Sequence, residues 1–131
     1  MINDPVADLL TRIRNASMAG LTELSCPFSN LKLNVSNILK NEGYIADVQT
    51  ENDELVNTKA LKIVLGEDSS KVITHIKRIS KPGRRVYVKS TNIPRPLRGL
   101  GTVIVSTSGG VITGKQAKKL GLGGEILCEI W

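Results

Sequence analysis

Apolar positions recur along this chain with two different periods, and the switches between them outline its elements. Val6, Leu9, Leu10 and Ile13 share one face of a 3.6-residue repeat. Asp4 and Pro5 stand before it as a capping residue and a first-turn residue, and Gly20 stands after it as a stop. The spacing predicts a helix there, with Arg12 and Arg14 flanking the apolar face. Leu21 to Cys26 reads as a short strand. Leu31, Val35, Ile38 and Leu39 give a second amphipathic helix from about Asn30 to Glu42, with Gly43 beyond its end. Residues 44 to 49 read as extended, Asn52-Asp53-Glu54 as a polar turn, and Leu61, Ile63 and Leu65 as the inward positions of a half-buried strand. The first half is predicted as α-β-α-β-β.

Gly66-Glu67-Asp68-Ser69-Ser70 is the strongest boundary signal, and it predicts domains over 1–66 and 71–131. Beyond it the alternating pattern dominates. Val72 to Ser80 is β-like, and Lys81-Pro82-Gly83 signals a turn. Residues 84 to 89 place Val86 and Val88 on one face, with Arg85, Tyr87 and Lys89 on the other. Pro94 and Pro96 interrupt a basic connection. Thr102 to Val105 predicts a strand, Ser106-Thr107-Ser108-Gly109-Gly110 an exposed loop, and Thr113 to Leu120 a helix. Thr113 and Gln116 have capping-box spacing in that helix, and Gly121 can end it. Ile126, Cys128 and Ile130 alternate in a last strand. The expected class is α+β, in two small domains, the second mainly β with one short helix. No internal repeat or low-complexity tract interrupts this pattern.

Composition adds that 40% of the 131 residues are apolar, which supports a folded core. Phe28, Tyr44, Tyr87 and Trp131 are the four aromatic residues, so that core is aliphatic. Cys26 and Cys128 have no motif spacing and read as buried thiols in a reducing compartment, with a single disulfide as the alternative. With no signal peptide or long apolar span in view, a soluble intracellular protein is expected.

Charge changes the picture more. Residues 1–70 carry a formal net charge of −4 and residues 71–131 one of +10, within a total of +6. A basic half-molecule of this kind attracts a polyphosphate backbone through release of condensed counterions. The hydroxyl-rich loop lies in that half. It offers three small hydroxyl side chains and two glycines, which lets a backbone press close to a ligand. Lys115, Lys118 and Lys119 follow on the short helix, suited to holding phosphates while the loop reads sugars or base edges. Tyr87 sits among Arg84, Arg85 and Lys89, where a ring can stack on a base or pack as an ordinary strand residue.

Other chemistry is poorly supported. Gly109 to Lys115 reads G-x-x-x-x-G-K, but Gln116 stands where a P-loop needs Ser or Thr for magnesium. A single histidine, His75, with two distant cysteines makes neither a metal site nor a triad. It reads as a sheet-surface or partly buried residue. The acids lie mostly in the first half, away from the glycine-rich loop. An enzyme is not expected, nor is a cofactor or metal.

Val105-Ser106-Thr107-Ser108-x-Gly110-Val111, followed by Gly121-Leu122-Gly123-Gly124-Glu125-Ile126, resembles the signature of bacterial-type small-subunit ribosomal protein eight. The run from Asp4-Pro5-Val6 to Arg12-Ile13-Arg14-Asn15 resembles that family's opening helix, and Ile79-Ser80-Lys81-Pro82-Gly83-Arg84-Arg85-Val86-Tyr87 its middle turn. The resemblance spans the chain. It implies a primary binder of small-subunit ribosomal RNA that docks on a central-domain stem early in assembly, in the ribosome of a bacterial cytoplasm or organelle stroma. It further implies a contact loop of Ser106, Thr107, Ser108 and Gly110, with Tyr87, Gly124 and Glu125 beside it and Arg12, Arg14 and Asn15 as contacts from the first domain. Glu125 suits a base amino group or sugar hydroxyl better than a phosphate, or orients the loop. Gly109 stands where relatives often carry a larger, sometimes basic residue. Expected partners are that RNA, neighbouring small-subunit proteins such as ribosomal protein five, and, as in some relatives, the protein's own messenger RNA. A monomer outside the ribosome is expected, with no membrane contact.

Overall fold

The computed structural model describes residues 4–55, 58–66 and 72–131. Contacts divide the chain into two compact units, Pro5–Ile73 and Thr74–Trp131, with Asp4 grouped with the second. The residues proposed as the boundary lie, from Glu67 to Ser70, outside the described residues.

The first unit runs α1 (Pro5–Met18), β1 (Glu23–Pro27), α2 (Asn30–Asn41), β2 (Asp47–Asp53) and β3 (Thr58–Val64), the expected α-β-α-β-β order. Pro5 opens α1, and Val6, Leu9, Leu10 and Ile13 are all buried, so the 3.6-residue stripe is the packed face. Ser29 caps α2, its hydroxyl accepting from the Lys32 backbone N–H at 3.1 Å. β3 is the central strand of an antiparallel β1-β3-β2 sheet, and its inward Leu61 and Ile63 are fully buried. β1 starts and ends later than the expected Leu21 to Cys26, and both bounds of β2 differ from expectation. β2 begins at Asp47 rather than Tyr44, and it continues through Asn52 and Asp53, which pair with Lys59 and Thr58. The turn therefore starts at Glu54, because the ladder's hydrogen bonds outweigh the turn preference of the polar residues.

The second unit holds β4 (Ile76–Arg78), β5 (Tyr87–Val88), short 3-10 turns at Ser90–Asn92 and Pro96–Gly99, β6 (Thr102–Thr107), β7 (Gly110–Thr113), α3 (Gly114–Leu120) and β8 (Gly124–Ile130). The sheet is antiparallel in the order β4-β8-β6-β7, with β5 also paired to β8. Val103, Val105 and Ile126 form a buried cluster against which Ile79, Val86 and Val88 pack. The α+β class is as expected, with the second part mostly β and carrying one short helix. The capping box on α3 is complete, with the Thr113 hydroxyl accepting from Gln116 N–H at 3.1 Å and the Gln116 side chain accepting from Thr113 N–H at 3.2 Å. Gly121 ends the helix at φ 72°.

One element was not anticipated. Gly110–Thr113 is a strand, hydrogen-bonded to β6 from Thr107↔Gly110 to Ile104↔Thr113. The expected five-residue loop therefore shrinks to Ser108 and Gly109, and Ser106 and Thr107 belong to β6. Four residues carry too little alternation to announce a strand, and pairing with β6 is what makes one. The β-like stretch of residues 72 to 80 contracts likewise to Ile76–Arg78.

Candidate nucleic-acid interface

Register brings Tyr87, Ser106, Thr107, Gly110, Gly124 and Glu125 together at one end of the second unit's sheet. Tyr87 pairs with Glu125, Glu125 with Ser106, and Ser106 with Val111. Directly paired residues share a face about 5 Å apart, so ring, carboxylate and hydroxyl stand in one line across three strands. Their neighbours Val86, Val88, Val105 and Ile126 point to the other face and build the core. Tyr87 is 69% exposed despite its flanking valines, so its ring is presented to solvent.

The next row is Val88, Gly124, Thr107 and Gly110. Gly124 is required there, because a Cβ would stand 2.1 Å from the Ser106 carbonyl oxygen. Gly123 is similarly confined, with a Cβ 2.5 Å from the Val88 carbonyl oxygen. These two positions let β8 lie against both neighbours. Thr107 locks the hairpin turn, its hydroxyl donating to the Gly110 carbonyl at 2.8 Å and accepting from Gly109 N–H at 3.1 Å. Ser108 remains exposed at the tip.

Glu125 is held from beneath. Its Oε2 accepts from the Ser80 hydroxyl at 2.5 Å and from Arg85 Nη1 at 3.0 Å. Arg85 therefore neutralises the acid, which reconciles a carboxylate with a cationic setting. Arg84 is exposed on the Lys81–Arg84 turn. Lys115, Lys118 and Lys119 are exposed on α3, spaced three and four apart and hence on one stripe. Buried Ala117 and side-chain-free Gly114 seat the helix, a Cβ on Gly114 falling 2.9 Å from Ile93 Cγ2.

Arg12, Arg14 and Asn15 are exposed on α1 of the first unit. Arg12 is engaged, its Nε donating to the Asp8 carboxylate at 3.1 and 3.2 Å and its Nη1 to the Ser25 carbonyl at 3.1 Å. Buried Lys32 donates to the same carboxylate at 3.0 Å and to the Pro27 carbonyl at 3.1 Å. Burial raises the Asp8 pKa, but the hydrogen bonds and charges of Lys32 and Arg12 together hold it below the ordinary carboxylate value.

The P-loop spacing has no matching geometry. The four residues that would cradle a phosphate are the paired strand β7. His75 is half-buried, stacked on Trp131 with ring centroids 3.9 Å apart, and its Nε2 lies 3.2 Å from Glu129 Oε1. Cys26 and Cys128 are both free and buried. Burial pushes the Cys128 thiol up to about 12. Among the described residues no three His, Cys, Asp or Glu side chains are grouped to hold a metal ion, and no helix is long and apolar enough to cross a membrane. Ser80 was not singled out from the sequence. Its signals are its place before the Lys81-Pro82-Gly83 turn and within the run that resembles the family's middle turn.

An exposed ring and hydroxyls on a small antiparallel sheet, with lysines exposed on its helix α3, define a candidate nucleic-acid-binding protein of the α+β class. The family model described as Ribosomal protein S8 matches residues 4–131, and the chain belongs to that family, in its bacterial type. It is a structural protein of the small ribosomal subunit, at work in translation in the cytoplasm. Among its relatives, Small ribosomal subunit protein uS8 of Clostridium tetani (strain Massachusetts / E88) is 47% identical over 131 residues, covering all of this chain and 99% of that protein. The family points to a structural rather than an enzymatic role.

Proposed function

We propose that this protein binds directly to a central-domain stem of small-subunit ribosomal RNA and helps the platform and body of the subunit assemble. The observation that carries the reading is the line Tyr87–Glu125–Ser106, ending beside the Ser108–Gly109 turn on the half of the chain whose net charge is +10. Tyr87 stacks on a base or ribose. Ser106 and Ser108 exchange hydrogen bonds with sugars or base edges, and Thr107, Gly110 and Gly124 shape the surface they share. Glu125 accepts from an amino group or 2′-hydroxyl. Arg84, Lys115, Lys118 and Lys119 hold phosphates, and Arg12, Arg14 and Asn15 add contacts from the first domain, taken as residues 1–66 with 71–131 as the RNA-binding domain. Ribosomal protein five is the proposed neighbour, and the same surface suits repression of the protein's own messenger RNA. In a filter-binding titration with a central-domain fragment, Tyr87→Ala and Ser108→Val are each expected to weaken binding by roughly 1–3 kcal/mol. Wild-type affinity for both variants would refute this assignment of the surface.

A further inference from the structure

β4 and β5 lie successively along the same edge of β8, opposite residues 128–130 and 124–125. Between them the chain continues along β8 only as far as Ser80, whose N–H donates to the Ile126 carbonyl at 3.0 Å. It then leaves the sheet and returns at Val86, whose carbonyl accepts from Ile126 N–H at 2.9 Å. Residues 81–85 are thus an excursion from one edge, closed at its tip by reciprocal Lys81–Arg84 backbone hydrogen bonds of 3.0 and 2.9 Å. The excursion carries three cations, Lys81, Arg84 and Arg85.

One fully buried hydroxyl closes its base. Ser80 Oγ accepts from Val86 N–H at 3.1 Å and donates to Glu125 Oε2. Both capacities are used across the two strands that meet the excursion. Arg85, at its end, donates to the same Glu125 oxygen. On a side chain only 15% exposed, Glu125 Oε2 is held twice, while Oε1 takes no hydrogen bond from the described residues.

We infer that Ser80 is the positioning residue of the RNA surface: its hydroxyl clasps the cation-bearing excursion to β8 and orients the Glu125 carboxylate toward RNA. This rests on the RNA-binding reading above. Ser80 is buried and touches no RNA itself; it acts through Glu125 and Val86. Without the hydroxyl, Val86 N–H loses its acceptor and Glu125 keeps only Arg85, free to swing with that flexible side chain.

The test is a double-mutant cycle on the full chain, read as affinity for a transcribed central-domain fragment of small-subunit ribosomal RNA. Ser80→Ala is expected to weaken binding about tenfold in the wild-type background, and about twofold or less beyond Glu125→Gln in the double variant. Equal losses in the two backgrounds would overturn the inference, since a merely structural role adds to the Glu125 effect rather than acting through it. Unchanged affinity of Ser80→Ala would overturn it as well. Should Ser80→Ala fail to fold, Ser80→Cys keeps the bulk and loses most donor strength, and the same two comparisons apply. Failure of the wild-type chain to bind the fragment would instead remove the RNA-binding reading on which the inference depends.

Discussion

A methyl group on Gly124 would meet the Ser106 carbonyl oxygen at 2.1 Å, far inside contact distance and against backbone. Gly124→Ala is therefore expected to destabilise the protein by roughly 2–3 kcal/mol, read as a lower urea midpoint, because β6 and β8 must part to admit it. An unchanged midpoint would contradict the close approach. Asp8 carries a second expectation at this scale. Its folded pKa lies below its ordinary value of 3.8, so its stabilising contribution is complete above that value. The contribution is lost as pH falls from there through the depressed folded value, where the native carboxylate takes up its proton. Asp8→Asn should flatten that acid limb of the stability curve. It should also lower stability near neutral pH by about 3 kcal/mol, since Lys32, only 3% exposed, keeps its charge with the Pro27 carbonyl as remaining partner. An acid limb as steep as wild type in urea titrations across pH would show that Asp8 is not its source.

The β6–β7 hairpin and α3 each make a separable contribution. Thr107 spends its hydroxyl inside the turn, on Gly109 and Gly110. Thr107→Val should loosen the tip, seen as faster amide exchange at Gly109, and cost about 1 kcal/mol of stability. Protection at Gly109 equal to wild type would contradict the lock. The proposed role of α3 is through charge: Lys118→Ala should weaken specific and non-specific RNA alike and reduce the salt slope by about one unit or less. A loss confined to one RNA sequence would contradict a phosphate role. What was legible at this scale followed how local the signal is. α1, α2 and the capping box of α3 are written in neighbouring residues, three and four apart. β7 and the 81–85 excursion are not, because each exists through pairing with strands distant in sequence. Ser80 escaped detection for the same reason: its partners are Val86 and Glu125, the latter 45 positions away.

Across the whole molecule the charge divides sharply, −4 over residues 1–70 and +10 over residues 71–131. That division is visible in the sequence alone, and it marks the half proposed to face RNA. The order of the line within it was not visible. Tyr87, Ser106 and Glu125 are separated by nearly twenty residues each, and only the register of β5, β8 and β6 aligns them. The account rests on this half gripping small-subunit ribosomal RNA. Ultraviolet crosslinking in cells, with the attached RNA sequenced and the crosslinked peptide identified, tests it most directly. Crosslinks from peptides containing Tyr87 or the Ser106–Gly110 hairpin to a central-domain stem are the predicted result. Crosslinks confined to peptides of residues 1–66, or none to small-subunit RNA, would contradict it.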